Sequence, residues 1–144
     1  MSNEIYCSRR FIFDCAHRVI GHTGKCRFLH GHRYVCEASF VAKELNALGM
    51  VIDFAEIKDK LGGWLDDNFD HNLVLSSQDK ELAEQISKYT KQKTYFLETN
   101  PTSENMALHL LHVVCPKLFA NTGARCVKIR LYESENSFVE VGAE

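Results

Sequence analysis

Hydrophobic and polar residues alternate along the first part of the chain, between residues 4 and 17, which is the pattern of a half-buried strand. A second alternating run covers residues 30–43, and the glycine-containing polar stretch 18–29 predicts a loop between the two strands. Residues 125–133 and 137–141 are rich in β-formers and predict a hairpin. One face of the first strand carries Phe11, Phe13, Cys15 and His17.

Apolar residues at helical spacing predict two amphipathic helices. The first begins at Asp53, which we expect to cap it together with Glu56, and runs for about three turns. Its apolar stripe consists of Phe54, Ile57, Leu61 and Trp64. The second begins at the Asn100–Glu104 segment, where a proline and two hydroxyl residues form a typical helix start. Its stripe consists of Met106, Leu110, Val113 and residues 115–118.

The segments between these helices are less regular. Residues 66–76 predict a loop, residues 79–91 a polar helix and residues 94–97 a short strand. Hairpins at both ends of the chain favour an antiparallel sheet, and the two amphipathic helices are expected to cover one of its faces. The length of 144 residues is that of a single domain, and we assign residues 1–144 to one.

Composition excludes several classes of protein. A net charge of -2 argues against a surface that binds nucleic acid or anionic membrane directly. No apolar run is long enough to span a bilayer, and the N-terminus has no apolar signal segment, so we expect a cytoplasmic protein. The six cysteines contain no C-x-x-C pair and are expected to be free thiols.

The tripeptide His30-Gly31-His32 is the first candidate for chemistry. Two residues apart on a strand, both imidazoles point to one face, with Cα atoms about 6.6 Å apart. If the two strands pair across the loop, His17 lies near them, and three neutral histidines with one open position describe a catalytic zinc site. The alternative is a surface pair, or a hydrogen-bonded pair in the core.

Three further residues or pairs have two interpretations each. Cys26 lies in a stretch with no acidic residue, from Cys15 to Cys36, which favours a reactive thiolate, but it is equally consistent with an exposed loop thiol. The Asp70-His71 pair suits proton transfer, or is a plain polar turn. Glu133 is a solvated carboxylate, or accepts two hydrogen bonds from a guanidine-like edge.

In their order along the chain, these motifs resemble the 6-pyruvoyl-tetrahydropterin synthase family over nearly the whole sequence. The matching segments are Phe13–His17, Cys26–His32, Ile52–Phe54, Asp70–Leu73, Asn100–Glu104 and Tyr132-Glu133. The resemblance implies an α+β structure, the tunnelling fold, with a four-stranded antiparallel sheet and two helices packed on one face. It also implies a homo-oligomer whose subunits form a barrel, usually a hexamer built as a dimer of trimers.

The resemblance assigns a role to each candidate residue. It implies that His17, His30 and His32 hold Zn²⁺ and that Cys26 is the proton-abstracting base. It implies that His71, held by Asp70, relays or donates protons. Glu133 is expected to grip the amino-pyrimidine edge of a pterin substrate and to take part in the proton relay, and the substrate site is expected to lie between subunits. Further pterin contacts are expected from Thr102 and Ser103.

The spacing within the motifs is similar to one branch of this family. Three residues separate Cys26 from His30, fewer than in the animal-type pyruvoyl synthases. The branch with this gap converts 7,8-dihydroneopterin triphosphate to a 6-carboxytetrahydropterin, acetaldehyde and triphosphate, toward the queuosine precursor of modified tRNA. A folate-route branch has glutamate in place of the cysteine, and Cys26 argues against that one.

Three functions therefore remain open from sequence. The first is a zinc-dependent pterin lyase, which forms either the carboxy product or, by elimination of triphosphate alone, the pyruvoyl product. A non-catalytic module that binds pterin or metal is the second, and an oligomeric scaffold is the third. A product assay with metal analysis distinguishes all three.

Overall fold

The alternating run at the start of the chain forms strand β1, Cys7–His17, which pairs antiparallel with β2, His30–Ala42. The register of this ladder runs from Cys7 opposite Phe40 to His17 opposite His30. The computed structural model describes residues 4–142. The predicted hairpin at the other end is also confirmed, as β5, Ala124–Ser134, and β6, Ser137–Gly142.

Within residues 4–142, three helices accompany the strands. Helix α1 consists of an α-helical turn Phe54–Ile57, a π-helical segment Lys58–Gly62 and an α-helical segment Gly63–Asn68. Helix α2 is Lys80–Thr90, within the predicted polar helix. Helix α3 has the same three-part form as α1, with segments Ser103–His109, Leu110–Val114 and Cys115–Leu118. Single 3₁₀ turns occur at Lys25–Arg27 and Ser77–Asp79.

The sheet has six strands in the order β4-β3-β1-β2-β5-β6, so the expected number of four is wrong. The predicted antiparallel part is present, and two short strands extend it through parallel pairing. These are β3, Leu73–Ser76, and β4, Thr94–Leu97. Strand β3 lies in the segment predicted as a loop. All four of its residues are buried, so the alternation that would have revealed a strand is absent.

Helices cover both faces of the sheet, in different places. As predicted, α1 and α3 pack on one face, where Phe13, Tyr34 and Phe40 of the sheet form the main core with them. Helix α2 instead packs on the opposite face of β3, where Ala83 joins Leu73 and Leu75 in a second small core. Strand β3 is therefore buried on both sides, as parallel strands usually are.

The start of α1 is capped in part as predicted. The Asp53 carboxylate accepts a hydrogen bond of 2.8 Å from the backbone N–H of Ala55. Glu56 does not complete the reciprocal cap, because its carboxylate faces Lys60 at 3.8 Å along the helix. No helix within residues 4–142 combines the length and the apolar character that a bilayer span requires. The cysteines of this part of the chain, which include all six, are free thiols.

The π-helical segments shift the buried stripes of both long helices by one position. A regular helix would bury Val113, as the sequence predicted, but Val113 is 40% exposed and Val114 is 4% exposed. In α1, Leu65 is likewise fully buried next to the half-buried Trp64. A π turn adds one residue to a helical turn, so the following side chains rotate to a new phase.

The phase shift can be tested with two neighbouring valines. We expect Val114→Ala to lower the free energy of unfolding by about 2 kcal/mol, because it removes two buried methyl groups. Val113→Ala is the matched control, and its exposed position predicts a change below about 0.5 kcal/mol. Urea unfolding at one fixed protein concentration measures both. Equal losses in the two variants, or a larger loss at Val113, would contradict the shifted phase.

Candidate functional site

Three histidines meet on one face of the β1–β2 ladder. His17 and His30 are opposite each other in the register, and His32 lies two residues further along β2. Their ring centroids are 4.7 Å apart for His17 and His30, 5.1 Å for His17 and His32, and 4.8 Å for His30 and His32. One nitrogen from each ring lies within 4.8 Å of the others, so this cluster can bind a metal ion.

Backbone carbonyls orient two of the three rings. His17 Nδ1 lies 2.7 Å from the carbonyl oxygen of Pro101, and His30 Nδ1 lies 2.6 Å from that of Phe28. A carbonyl only accepts hydrogen bonds, so in both rings Nδ1 carries the hydrogen and Nε2 keeps its lone pair. This is the arrangement in which metal-binding histidines are usually held.

The third ring has a free buried nitrogen. His32 Nε2 is buried and has no hydrogen-bond partner in the described part of the chain. Glu133 Oε1 is 3.0 Å away, but it lies in a direction that makes no hydrogen bond. A buried nitrogen without a partner is costly unless something else binds it. Together with the two Nε2 lone pairs beside it, it fits a divalent cation, for which three imidazoles are a common catalytic ligand set.

Burial favours the neutral, metal-binding form of His17 and His32. Removal from water lowers the pKa of His17, and the neighbouring His30 and His32 lower it further, against opposing effects of the Pro101 carbonyl and Glu133. Burial also lowers the pKa of His32, which Glu133 raises and His30 lowers. The neutral rings offer lone pairs, as metal binding demands.

Tyr34 packs against His17 and His32 from the interior of the protein. Its side chain is fully buried, and its hydroxyl lies 3.3 Å from His17 Nδ1 and 3.4 Å from His17 Nε2. Burial raises the pKa of Tyr34, and the nearby Cys15 and Glu133 raise it further, so the hydroxyl stays protonated. Sequence reasoning missed this residue, although it follows His32 by two positions on the same face of β2.

Glu133 and Ser103 join the cluster from β5 and α3. The hydroxyl of Ser103 donates a 2.7 Å hydrogen bond to Glu133 Oε2. Ser103 is only 5% exposed, so its hydroxyl is held inside the protein. The hydroxyl of Thr102 caps α3 by accepting a 3.1 Å hydrogen bond from the backbone N–H of Asn105. Both hydroxyls predicted to touch substrate are therefore engaged within the chain.

Cys26 occupies the loop that links the two histidine-bearing strand ends. It is the middle residue of the 3₁₀ turn Lys25–Arg27 and is partly exposed. Its carbonyl accepts a 2.8 Å hydrogen bond from the backbone N–H of Val19, two residues after His17. The loop thus starts and ends at proposed metal ligands, with the thiol four residues before His30.

Asp70 and His71 form a separate pair next to Asp14. The imidazole Nδ1 of His71 is 2.9 Å from Asp70 Oδ2, and Asp70 Oδ1 accepts a 2.9 Å hydrogen bond from the backbone N–H of Asp14. His71 adopts a left-handed backbone with φ of 61°, which places adjacent side chains in contact. Asp14 and His17 are three residues apart on β1, so their side chains lie on opposite faces of the sheet. Asp14, Asp70 and His71 form a group of their own, distinct from the three histidines.

Comparisons with known proteins agree on one family. A family model described as 6-pyruvoyl tetrahydropterin synthase matches residues 6–144. The 6-carboxy-5,6,7,8-tetrahydropterin synthase of Rickettsia bellii is 52% identical over 137 residues, which are 95% of this chain and 99% of that protein. The enzyme of the same name from Haemophilus influenzae is 30% identical over 140 residues, covering 92% of this chain and 95% of that one.

A solved structure shows the same fold. The 6-pyruvoyl tetrahydropterin synthase of Caenorhabditis elegans superimposes with a TM-score of 0.70 at 22% identity, covering 99% of this chain and 97% of that chain. The α+β architecture, with helices on a curled sheet, is therefore shared with proteins of this family over nearly their whole length.

Removal of one histidine tests the metal centre. We expect His30→Ala to reduce bound Zn²⁺ from about one ion per chain to near zero after dialysis, because two imidazoles do not complete the ligand set. Elemental analysis and titration with Co²⁺, followed by its absorption spectrum, measure the change. His112→Ala, at an exposed position on α3, is the control and should bind as the unaltered protein does. Equal metal content in the two variants would refute the site.

The Asp70–His71 pair predicts a specific titration. The hydrogen bond that the His71 ring donates to Asp70, followed by the charge of that carboxylate, raises the pKa of His71. Asp70→Asn should therefore lower the pKa of His71, so that its imidazolium loses its proton at a lower pH than in the unaltered protein. Proton NMR of the His71 ring measures both midpoints. The control Asp59→Asn removes a carboxylate on α1, away from this pair. An equal shift of the His71 pKa in the control, or no shift in Asp70→Asn, would contradict the pairing.

Proposed function

The chain belongs to the 6-pyruvoyl tetrahydropterin synthase family and is a lyase of the tetrahydropterin synthase type, and from this premise we propose its reaction. It converts 7,8-dihydroneopterin triphosphate and water into 6-carboxy-5,6,7,8-tetrahydropterin, acetaldehyde and triphosphate. The observation that carries the proposal is the 52% identity to the Rickettsia bellii enzyme of that name over 95% of the chain. The reaction would serve synthesis of the queuosine precursor in the cytoplasm.

The three clustered histidines are the proposed holders of the metal. His17, His30 and His32 would bind Zn²⁺, which supplies a Lewis acid that makes the hydroxyls of the substrate side chain more acidic and orients them. Support comes from the unpartnered Nε2 of His32 and from the carbonyl-fixed rings of the other two. The fixed rings need little rearrangement when an ion binds, which favours a preformed site.

Cys26 is the proposed base that removes a proton from the substrate side chain. Its loop carries Lys25 and Arg27 and no acidic residue, so the thiol lies among positive charges that can attract an anionic substrate. The other cysteines of β1 and β2 are less suited, because burial raises the pKa of Cys15 and Cys36. Partial exposure and a basic surrounding thus favour Cys26 among these thiols.

His71 is the proposed proton donor or relay, with Asp70 as its partner. The raised pKa of His71 favours the protonated imidazole, and its side chain is 78% exposed and able to reach a ligand. Within one chain this pair is separate from the three histidines. That separation supports a site completed between subunits, and we propose a homohexamer built as a dimer of trimers.

Glu133 is the proposed anchor for the pterin ring and a member of the proton relay. A carboxylate can accept two parallel hydrogen bonds from the amino-pyrimidine edge of a pterin. Ser103 already holds Oε2 of Glu133, which fixes the carboxylate at the edge of the metal cluster. Thr102 and Ser103 remain proposed pterin contacts, and Ser103 would act by orienting Glu133.

The pyruvoyl reaction is the second candidate. The matching family model bears that name, and the reaction eliminates triphosphate without breaking the carbon chain. The two reactions share the proton removal proposed for Cys26 and differ in the later attack by water. Their products differ in carbon number, so mass spectrometry separates them.

The product assay decides between them. We expect the purified protein loaded with Zn²⁺ to form 6-carboxytetrahydropterin and acetaldehyde from 7,8-dihydroneopterin triphosphate. Cys26→Ala should lower turnover by about 10²-fold or more while metal content stays unchanged, because only the proton transfer is removed.

The control for this experiment is Cys7→Ala, which alters a half-buried thiol on β1 and should leave turnover intact. Pyruvoyl product alone would assign the second candidate. Full turnover in Cys26→Ala would remove the thiol from the mechanism, and no product from any preparation would refute both reactions.

A further inference from the structure

The loop that carries Cys26 is tied to the rest of the chain at few points. Residues 18–29 make several hydrogen bonds among themselves, such as Val19 to Cys26. In the part of the chain that the structure describes, side chains beyond the flanking strands form hydrogen bonds or ion pairs with the loop at two residues. Arg18 forms an ion pair with the buried Asp79, and Ile20 is bound by Asn100.

Asn100 binds both polar groups of one peptide residue. Its Oδ1 accepts a 2.9 Å hydrogen bond from the backbone N–H of Ile20, and its Nδ2 donates a 2.9 Å hydrogen bond to the Ile20 carbonyl. Only an amide side chain offers an acceptor and a donor side by side in this way. Eighty positions separate the two residues in sequence, so the contact joins distant parts of the chain.

The segment after Asn100 also makes hydrogen bonds to the three-histidine cluster and to Glu133 beside it. The carbonyl of Pro101 accepts the hydrogen bond from His17, and Ser103 holds Glu133. Asn105 in turn donates a 3.0 Å hydrogen bond to the carbonyl of Asn100, which fixes Asn100 to the first turn of α3. One rigid helix start therefore sets the position of the cluster and of the loop together.

A short chain of hydrogen bonds connects Asn100 to the thiol-bearing residue. Asn100 fixes Ile20, whose neighbour Val19 donates to the carbonyl of Cys26 at 2.8 Å. The bond reaches Cys26 through the backbone, which leaves its side chain free. Small displacements of a reacting group cost large factors in rate, so this connection matters beyond stability.

We propose that Asn100 is a positioning residue, which acts through Ile20 and Val19 to hold Cys26 in place relative to the three-histidine cluster. This inference rests on the proposed role of Cys26 as the base. It assigns Asn100 no contact with substrate. The role predicts a loss in the chemical step while metal binding and overall stability remain close to those of the unaltered protein.

The test compares Asn100→Ala with the control Asn46→Ala. Asn46 also uses its side chain to bind backbone, accepting 3.0 Å hydrogen bonds from the N–H groups of Leu48 and Met50, but in a different loop. We expect Asn100→Ala to lower kcat by about 10-fold to 10²-fold, with KM changed less than about 3-fold. Asn46→Ala should retain the kcat of the unaltered protein.

Two measurements need no substrate. Hydrogen exchange at the Ile20 amide should be faster by about 10-fold or more in Asn100→Ala, because its acceptor is gone. Alkylation of Cys26 by iodoacetamide, followed by peptide mass spectrometry, should accelerate in the same variant, while Cys7 serves as the internal reference. Bound Zn²⁺ should be equal in all proteins.

The second variant keeps the size of the side chain. Asn100→Asp retains the acceptor for the Ile20 N–H and places an oxygen against the Ile20 carbonyl, so its kcat should also fall and its loop should also loosen. If Asn100→Ala does not fold, the same measurements of kcat, hydrogen exchange and alkylation on Asn100→Asp test the proposal. Unchanged exchange and alkylation in the folded variant would overturn the proposal. A loosened loop with unchanged kcat would also overturn it, whereas absence of product from the unaltered protein would refute the proposed function alone.

Discussion

The pairing of β1 with β2 is the constraint on which the site depends. Because His17 lies opposite His30 in an antiparallel register, three imidazoles from two strands share one face. A shift of the pairing register by one residue would turn the side chains of one strand to the other face of the sheet, and the three histidines would no longer lie together. The register is itself fixed by the buried residues Phe13 and Tyr34, which stack at 5.2 Å and cannot both remain in the core after such a slip.

The rest of the site is arranged around that ladder by contacts that come from distant parts of the chain. The start of α3 contributes the Pro101 carbonyl and the Ser103 hydroxyl, and β5 contributes Glu133. Cys26 is held by its own loop, and the Asp70–His71 pair by the edge of β1 beside Asp14. The core supports these groups because α1 and α3 pack against the same face of the sheet that bears the histidines.

The sequence predicts the features that repeat at short range. Alternation located β1 and β2, richness in β-formers located the final hairpin, and the His30-Gly31-His32 spacing located most of the cluster. It failed where burial removes the alternation, as in β3, and where a π turn changes the helical phase, as at Val113 and Val114. The carbonyl that orients His17 and the left-handed backbone of His71 leave no local pattern, since both depend on contacts made only after folding.

The two acceptors that set the ring tautomers of His17 and His30 belong to the main chain, at Pro101 and Phe28. No point substitution deletes a carbonyl group, so side chains around these positions can drift during evolution without loss of the tautomer. Insertions and deletions have the opposite effect, because they move the oxygens themselves. The positions of these two segments in the fold therefore set the tautomers of both rings, more than the side chains at positions 28 and 101 do.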